Sequence, residues 1–167
     1  MTVITYRDGV LASDSGAFMG EAIVGAVVKI GRTRRGSLFG VAGDAGKNSL
    51  VRAFVEALEA GENPWASADD WGEAVSLIVL PSGRFAVVCR ENPIFEPIRA
   101  PFAAIGAAQE MAFGAMAAGA DAAQAVRICI RHHTGAVGPI QTRRLTQKPK
   151  GAKNGANSGR RNGPRER

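Results

Sequence analysis

The sequence is poor in residues that would support several common functional readings. Its 167 residues include two cysteines, Cys89 and Cys129, both inside apolar patterns and neither in a CxxC or zinc-ligand spacing. That excludes a disulfide scaffold and a cysteine-based metal centre, and predicts two buried, reduced thiols. Histidine is confined to the adjacent pair His132 and His133. Neighbours on a helix point about 100° apart and cannot share one face, so no metal and no cofactor are expected. Aromatics make up only 6% of the chain, so the core must be built from Val, Ile, Leu and much Ala. Long apolar runs are missing too. The longest candidate, residues 100–120, is mostly Ala and Gly and contains Gln109 and Glu110, which argues against a membrane span. Arg7 and Asp8 interrupt any apolar leader. With reduced thiols, these features predict a cytoplasmic protein with no membrane contact.

Acidic residues are scarce at one end. From Arg143 onward there are nine Lys/Arg against Glu166 alone, whereas the preceding 142 residues carry 12 basic and 14 acidic groups. The basic balance therefore belongs to a tail. Beyond Leu145 there is no Val, Ile, Leu or aromatic residue, too little apolar surface to offset ordering entropy. The expected organisation is one domain over residues 2–145 and a disordered basic tail over 146–167. The tail could make weak, salt-sensitive contact with nucleic acid, but without aromatics it offers no base stacking.

Within the domain, residues 2–7 and 10–13 read as strands around the Asp8-Gly9 turn. Residues 22–30 form a β-branched run, and 37–43 a fourth strand. The period then changes: Leu50, Val51, Phe54, Val55 and Leu58 recur with helical spacing, and Gly61 supplies a stop. Residues 62–73, with Trp65 and Trp71, are turn-rich, and the two tryptophans read as local packing. A hairpin is expected around Pro81-Ser82-Gly83, then a short strand near 94–98. Two Ala-rich helices follow, at about 107–118 and from Asp121, whose spacing to Gln124 fits a capping box. A last strand covers about 137–145. Strand runs and helix runs of this kind segregate into layers, giving an α+β fold of two stacked sheets with helices outside.

Chemistry enters at the opening MTVITYRDGVLASD. A threonine at a free N-terminus is a self-contained acyl-transfer unit, with its hydroxyl as nucleophile and its α-amine as base. Met1 precedes a small residue, the situation in which the initiator is normally trimmed. An unperturbed α-amine has a pKa of about 8, so about a tenth is neutral at pH 7, and a nearby cation raises that fraction. Such a cation needs a counter-charge, and the oxyanion needs backbone N–H donors. Lys29 near the end of the apolar run, Asp14 closing the second strand and Gly43 at a strand-to-helix junction are candidates for these parts.

The ordered set of Thr2, DGVLASD ending in Asp14, VVKI with Lys29 and GVAGDAG with Gly43 resembles the proteasome β-subunit family and its bacterial HslV-type peptidases. Residues 102–130, FAAIGAAQEMAFGAMAAGADAAQAVRICI, resemble that family's AIG turn and two helices. The resemblance covers about residues 2–145. It implies an N-terminal nucleophile (Ntn) hydrolase fold, an αββα four-layer sandwich, and a threonine-type peptidase acting on peptide or protein substrates. By this resemblance Thr2 is nucleophile and base, and Lys29 lowers the amine pKa. Asp14 orients Lys29, and the Gly43 amide helps form the oxyanion hole. Gly16, Phe18, Met19 and Gly20 of GAFMG would border the specificity pocket. It also implies a homo-oligomeric ring, fed by an ATP-dependent unfoldase.

The chain departs from the family pattern in three places. Gly106 is followed by Ala107 and Ala108 where a Ser-Gly pair is usual. His133 and Ala136 stand where an Asp and a Ser are usual. Between the fourth and fifth strands there is room for one long helix rather than two. Two other readings follow: an inactive structural member of the same fold, or an interaction protein whose basic tail binds nucleic acid.

Overall fold

A computed structural model describes residues 1–62 and 68–146. Period-2 alternation along the first strand explains the layering. In β1 (Val3–Arg7), Val3 and Thr5 point to one side, while Ile4 and Tyr6 point to the other. All four are buried, so this strand has a layer on each face. It pairs antiparallel with β2 (Val10–Ser13) and with β9 (Phe102–Gly106). Adding β10 (Gln141–Arg144) gives a sheet of order β10-β2-β1-β9.

The Val3 face packs against α3 (Gln109–Ala117) and α4 (Ala122–His132) through small residues such as Ala112, Ala122 and Ala125. Alanine-rich contact brings helix and sheet close, and Thr5 Oγ1 reaches the Ala122 carbonyl at 2.9 Å. The Asp121–Gln124 capping box that opens α4 is formed in both directions.

The Ile4 face meets a second antiparallel sheet, ordered β5-β6-β7-β8 and built from β5 (Ile30–Arg32), β6 (Leu38–Ala42), β7 (Val75–Val79) and β8 (Phe85–Val88). Ile4, Leu11, Leu38, Leu77 and Ile105 fill the space between the sheets. Each such buried side chain contributes about 1.5–3 kcal/mol. The outer face of this second sheet, through Phe39, Val41 and Ile78, packs against α1 (Asn48–Ala60) and Trp71. The order is helix, sheet, sheet, helix: an α+β fold. Gly61 ends α1 in the left-handed conformation (φ 84°), with its N–H on the carbonyls of the last turn.

The structure differs from the sequence reading in several elements. Residues 22–30 are not one core strand. They split into β4 (Ala22–Ala26), a link and β5, and β4 pairs only with β3 (Gly16–Met19), an element not expected. Among the described residues no layer covers this hairpin, and Ile23 and Val24 are exposed there despite their apolar character. The expected strand at 94–98 reduces to a single bridge, Phe85–Ile98, because Pro93 and Pro97 remove ladder donors. The last strand is shorter than expected. Cys129 is buried but Cys89 is only partly so. Trp71, at the end of α2 (Ala68–Trp71), packs edge-on against Phe54. Trp65 and residues 147–167 lie outside the described residues. Among the described residues no helix is long and apolar enough to cross a membrane.

Candidate active site

Continuing the alternation of β1 back by one step puts Thr2 on the Ile4 face, at the mouth of the space between the sheets. Thr2 is only 5% exposed there, and its Oγ1 donates to the Met1 carbonyl at 2.5 Å. Lys29 arrives from the other sheet, one residue before β5. Both sheets fix its backbone: its carbonyl accepts from Val41 N at 2.9 Å, and its N–H donates to Gln141 Oε1 of β10 at 3.2 Å.

The Lys29 ammonium is almost completely buried. It lies 3.0 Å from each oxygen of Asp14 and 3.4 Å from the Met1 carbonyl. Asp14 is fully buried. Besides the lysine, its carboxylate accepts from the backbone N–H groups of Val3 (3.0 Å), Gly16 (3.3 Å) and Val137 (3.2 Å). Three backbone donors and one ammonium satisfy a charge that would otherwise be prohibitive at this depth. Burial pushes the Lys29 pKa below the usual lysine value, and the charge and hydrogen bonds of Asp14 pull it part of the way back.

The pocket in front of Thr2 has a volume of about 300 Å³. Thr2, Lys29, Gly43, Gly16 and Phe18 all line it, together with Met1, Ala17, Val27, Asp44 and Gly46. Asp14 stands behind Lys29 and does not line it. Met19 and Gly20 do not line it either. The hairpin runs outward from the pocket after Phe18, leaving Met19 75% exposed. Gly43 has φ 86°, and a Cβ there would sit 2.2 Å from the Glu73 carbonyl oxygen. Only glycine lets the chain turn there from β6 toward α1. A short 3-10 turn, Ala45–Lys47, separates Gly43 from α1, whose N-terminus has no side-chain cap.

Of the supporting positions, Gly106 is adjacent to the site. It pairs with Val3, and a Cβ there would lie 2.3 Å from the Thr2 carbonyl oxygen. Ala107 is exposed, and its Cβ lies beside Gly135. His133 Nδ1 accepts from Gly135 N at 2.9 Å, and the ring is absent from the pocket lining. Two contributors escaped the sequence reading, Val137 and Ser15. Val137 holds Asp14 from 123 positions away, and no local pattern signals that. The Ser15 hydroxyl is buried beside this network without a hydrogen-bond partner among the described residues. Asp44 and Gly46, by contrast, flank Gly43 in the GDAG segment and were legible there. Cys129 is no competing nucleophile: burial, and then the Asp14 charge, raise its thiol pKa.

Fold and site together define a two-sheet α+β protein with a threonine set in front of a buried lysine–aspartate pair. No protein-family model matches the sequence, and no curated protein matches it. Among solved structures the chain is similar to Thiobacillus denitrificans BPH, at 20% identity and a TM-score of 0.59 over 87% of this chain and 98% of that one. It is likewise similar to Thiobacillus denitrificans BPH in complex with epoxomicin, at 20% identity and TM-score 0.59 over 87% and 99% of the two chains. At this identity the likeness is one of fold.

Proposed function

We propose that the chain is a threonine-type peptidase of the Ntn-hydrolase, proteasome-like class, active once Met1 is removed. The observation that carries this reading is the convergence of Thr2, Lys29 and Gly43 on one pocket, with Asp14 paired to Lys29 behind it. Likeness of fold to a protein solved with epoxomicin supports it.

In this mechanism Thr2 Oγ1 attacks the substrate carbonyl while the freed Thr2 amine takes its proton. The Gly43 N–H stabilises the oxyanion, a donor being worth roughly 3 kcal/mol. The amine then protonates the departing amine, leaving an ester on Thr2 that water hydrolyses. Lys29 keeps the Thr2 amine neutral by like-charge repulsion, and Asp14 keeps Lys29 charged. Ala17 and Phe18 wall the pocket from β3. The apolar surface of the same hairpin, at Met19, Ile23 and Val24, is continuous with that wall and is where a second copy would extend it in a homo-oligomer.

The test is intact mass before and after incubation with epoxomicin, an epoxyketone whose ring closure needs a hydroxyl and a free α-amine on one residue. A chain lacking Met1 that gains one stoichiometric adduct at Thr2 is the expected result. The alternative, a fold kept without its chemistry, is favoured by Ala107 and His133 standing where the family carries a Ser and an Asp. It predicts no adduct even after Met1 is lost.

Pocket geometry also predicts where selectivity lies. Phe18→Ala should change the ranking of a fluorogenic peptide panel, whereas Met19→Glu should leave it unchanged. An altered ranking with Met19→Glu alone would place the specificity wall further out on the hairpin.

A further inference from the structure

Lys29 supplies the buried positive charge of the site, yet packing does little to hold the chain that leads to it. From Glu21 to Val28 every residue is exposed except Val27, which is half-buried, and Val28 is 59% exposed. Lys29 stands one residue ahead of β5, an edge strand whose one ladder neighbour is β6. The edge of the other sheet, β10, lies beside β5 but belongs to a separate ladder.

Hydrogen bonds take the place of packing on residues 27–29. Val27 N donates to the Ser15 carbonyl at 2.8 Å, and the Val28 carbonyl accepts from Asn48 Nδ2 of α1 at 2.9 Å. Two further backbone groups go to a single side chain of β10. Gln141 Nε2 donates to the Val27 carbonyl at 2.7 Å, while Gln141 Oε1 accepts the Lys29 N–H at 3.2 Å. A primary amide carries both a donor and an acceptor, as a peptide group does, so Gln141 stands in for the strand that this edge lacks. The reverse orientation of the amide would set acceptor against acceptor and donor against donor. Register adds a second link. Gln141 pairs with Ser13, the residue before Asp14. One strand pair therefore holds Lys29 at both ends: Asp14 takes the ammonium, 3.0 Å from each oxygen, and Gln141 takes the backbone.

We infer that Gln141 is a positioning residue of the site: its amide fixes the lysine-bearing link of one sheet to the aspartate-bearing edge of the other, and so sets where the Lys29 charge stands relative to Thr2. Gln141 does not line the pocket and acts only through Lys29. The catalytic consequence rests on the peptidase reading above, and the structural one on the distances alone. Without the amide, the Val27 carbonyl and the Lys29 N–H lose these partners, and the link can swing outward with the exposed hairpin. The ammonium then recedes from the Thr2 amine, whose pKa rises as the like-charge repulsion weakens.

Gln141→Met keeps the length of the side chain and removes both bonds, whereas Gln141→Asn keeps the amide but is too short to make both. The first readout is the rate of epoxomicin labelling against pH. In Gln141→Met the acid limb should move to higher pH, with labelling about three- to tenfold slower at neutral pH and within about twofold of wild type on the alkaline plateau. Gln141→Asn should fall between, and carries the comparison if thermal melts show Gln141→Met unfolded. The second readout needs no activity. The carbon-13 resonance of Lys29 Cε, assigned by its loss in Lys29→Arg, is followed through an alkaline titration. Burial holds this lysine below its usual pKa, and release by Gln141→Met should bring it back toward the usual value. A labelling rate lowered by one factor at every pH, with the Lys29 titration unmoved, would overturn the inference and leave Gln141 only filling two backbone hydrogen bonds. Absence of labelling in the wild type would overturn the peptidase reading instead. The Lys29 titration then decides the positioning role by itself: a shift in Gln141→Met upholds it, and no shift refutes it.

Discussion

Thr2→Ala is expected to abolish both epoxomicin labelling and peptide hydrolysis, a fall on the order of 10³-fold or more, while leaving the fold intact. The two halves of this expectation come from different observations. Among the described residues the Thr2 hydroxyl donates to the carbonyl of the preceding residue and to no other group, so its loss breaks no tertiary hydrogen bond. Stability should change by about 1 kcal/mol or less. The chemistry, in contrast, has no substitute nearby, because the Cys129 thiol is buried and held protonated, and His133 does not line the pocket. Thr2→Ser keeps a hydroxyl and an amine on one residue and should retain the adduct. Mass spectrometry of the three proteins after inhibitor treatment, with a thermal melt of each, checks both halves. Hydrolysis surviving in Thr2→Ala would move the nucleophile elsewhere.

Asp14→Asn is the second large effect, and it acts on stability and site together. The substitution leaves the Lys29 ammonium buried without a counter-charge, a loss of about 3–5 kcal/mol. It also weakens the acceptor that holds the N–H groups of Val3, Gly16 and Val137. Because Asp14 is what pulls the Lys29 pKa upward, its removal drops that pKa further. The sign of the pH dependence follows. Between the lowered folded value and the ordinary lysine value of about 10.4, the unfolded chain binds more protons, so stability rises with pH through that window. The wild type shows the same sign in a narrower window, since its Lys29 is less depressed. Urea denaturation of both proteins from neutral to alkaline pH measures this. A variant as stable as wild type at neutral pH would mean that Lys29 is solvated rather than buried. Activity should be lost with the charge, since a neutral Lys29 no longer repels a proton from the Thr2 amine.

Much of this was legible from local pattern. Helix α4 is specified by a capping box and an apolar stripe, both short-range signals, and it forms as read. The end of α1 at Gly61 is likewise local. The hairpin β3–β4 was not legible, because Ile23 and Val24 look like core residues. Whether an apolar strand is covered depends on which layer lies over it, and local spacing carries no such information. Prolines 93 and 97 were visible in the sequence, and their missing N–H groups should have counted against a strand there.

For the site, the sequence by itself determined the residue types: a threonine beside the chain start, an aspartate closing β2, a lysine just ahead of β5 and a glycine where β6 turns toward α1. Their order follows the chain, and each chemical role follows from functional groups that can be read directly. Only the tertiary structure decided that they meet. The antiparallel pairing of β1 with β2 brings Val3 N to Asp14, and the stacking of the two sheets carries Lys29 across to the same carboxylate. Val137 closes the cradle from beyond both helices. These distances depend on sheet register and interlayer packing, which are set by burial summed over the whole core and therefore by no segment alone.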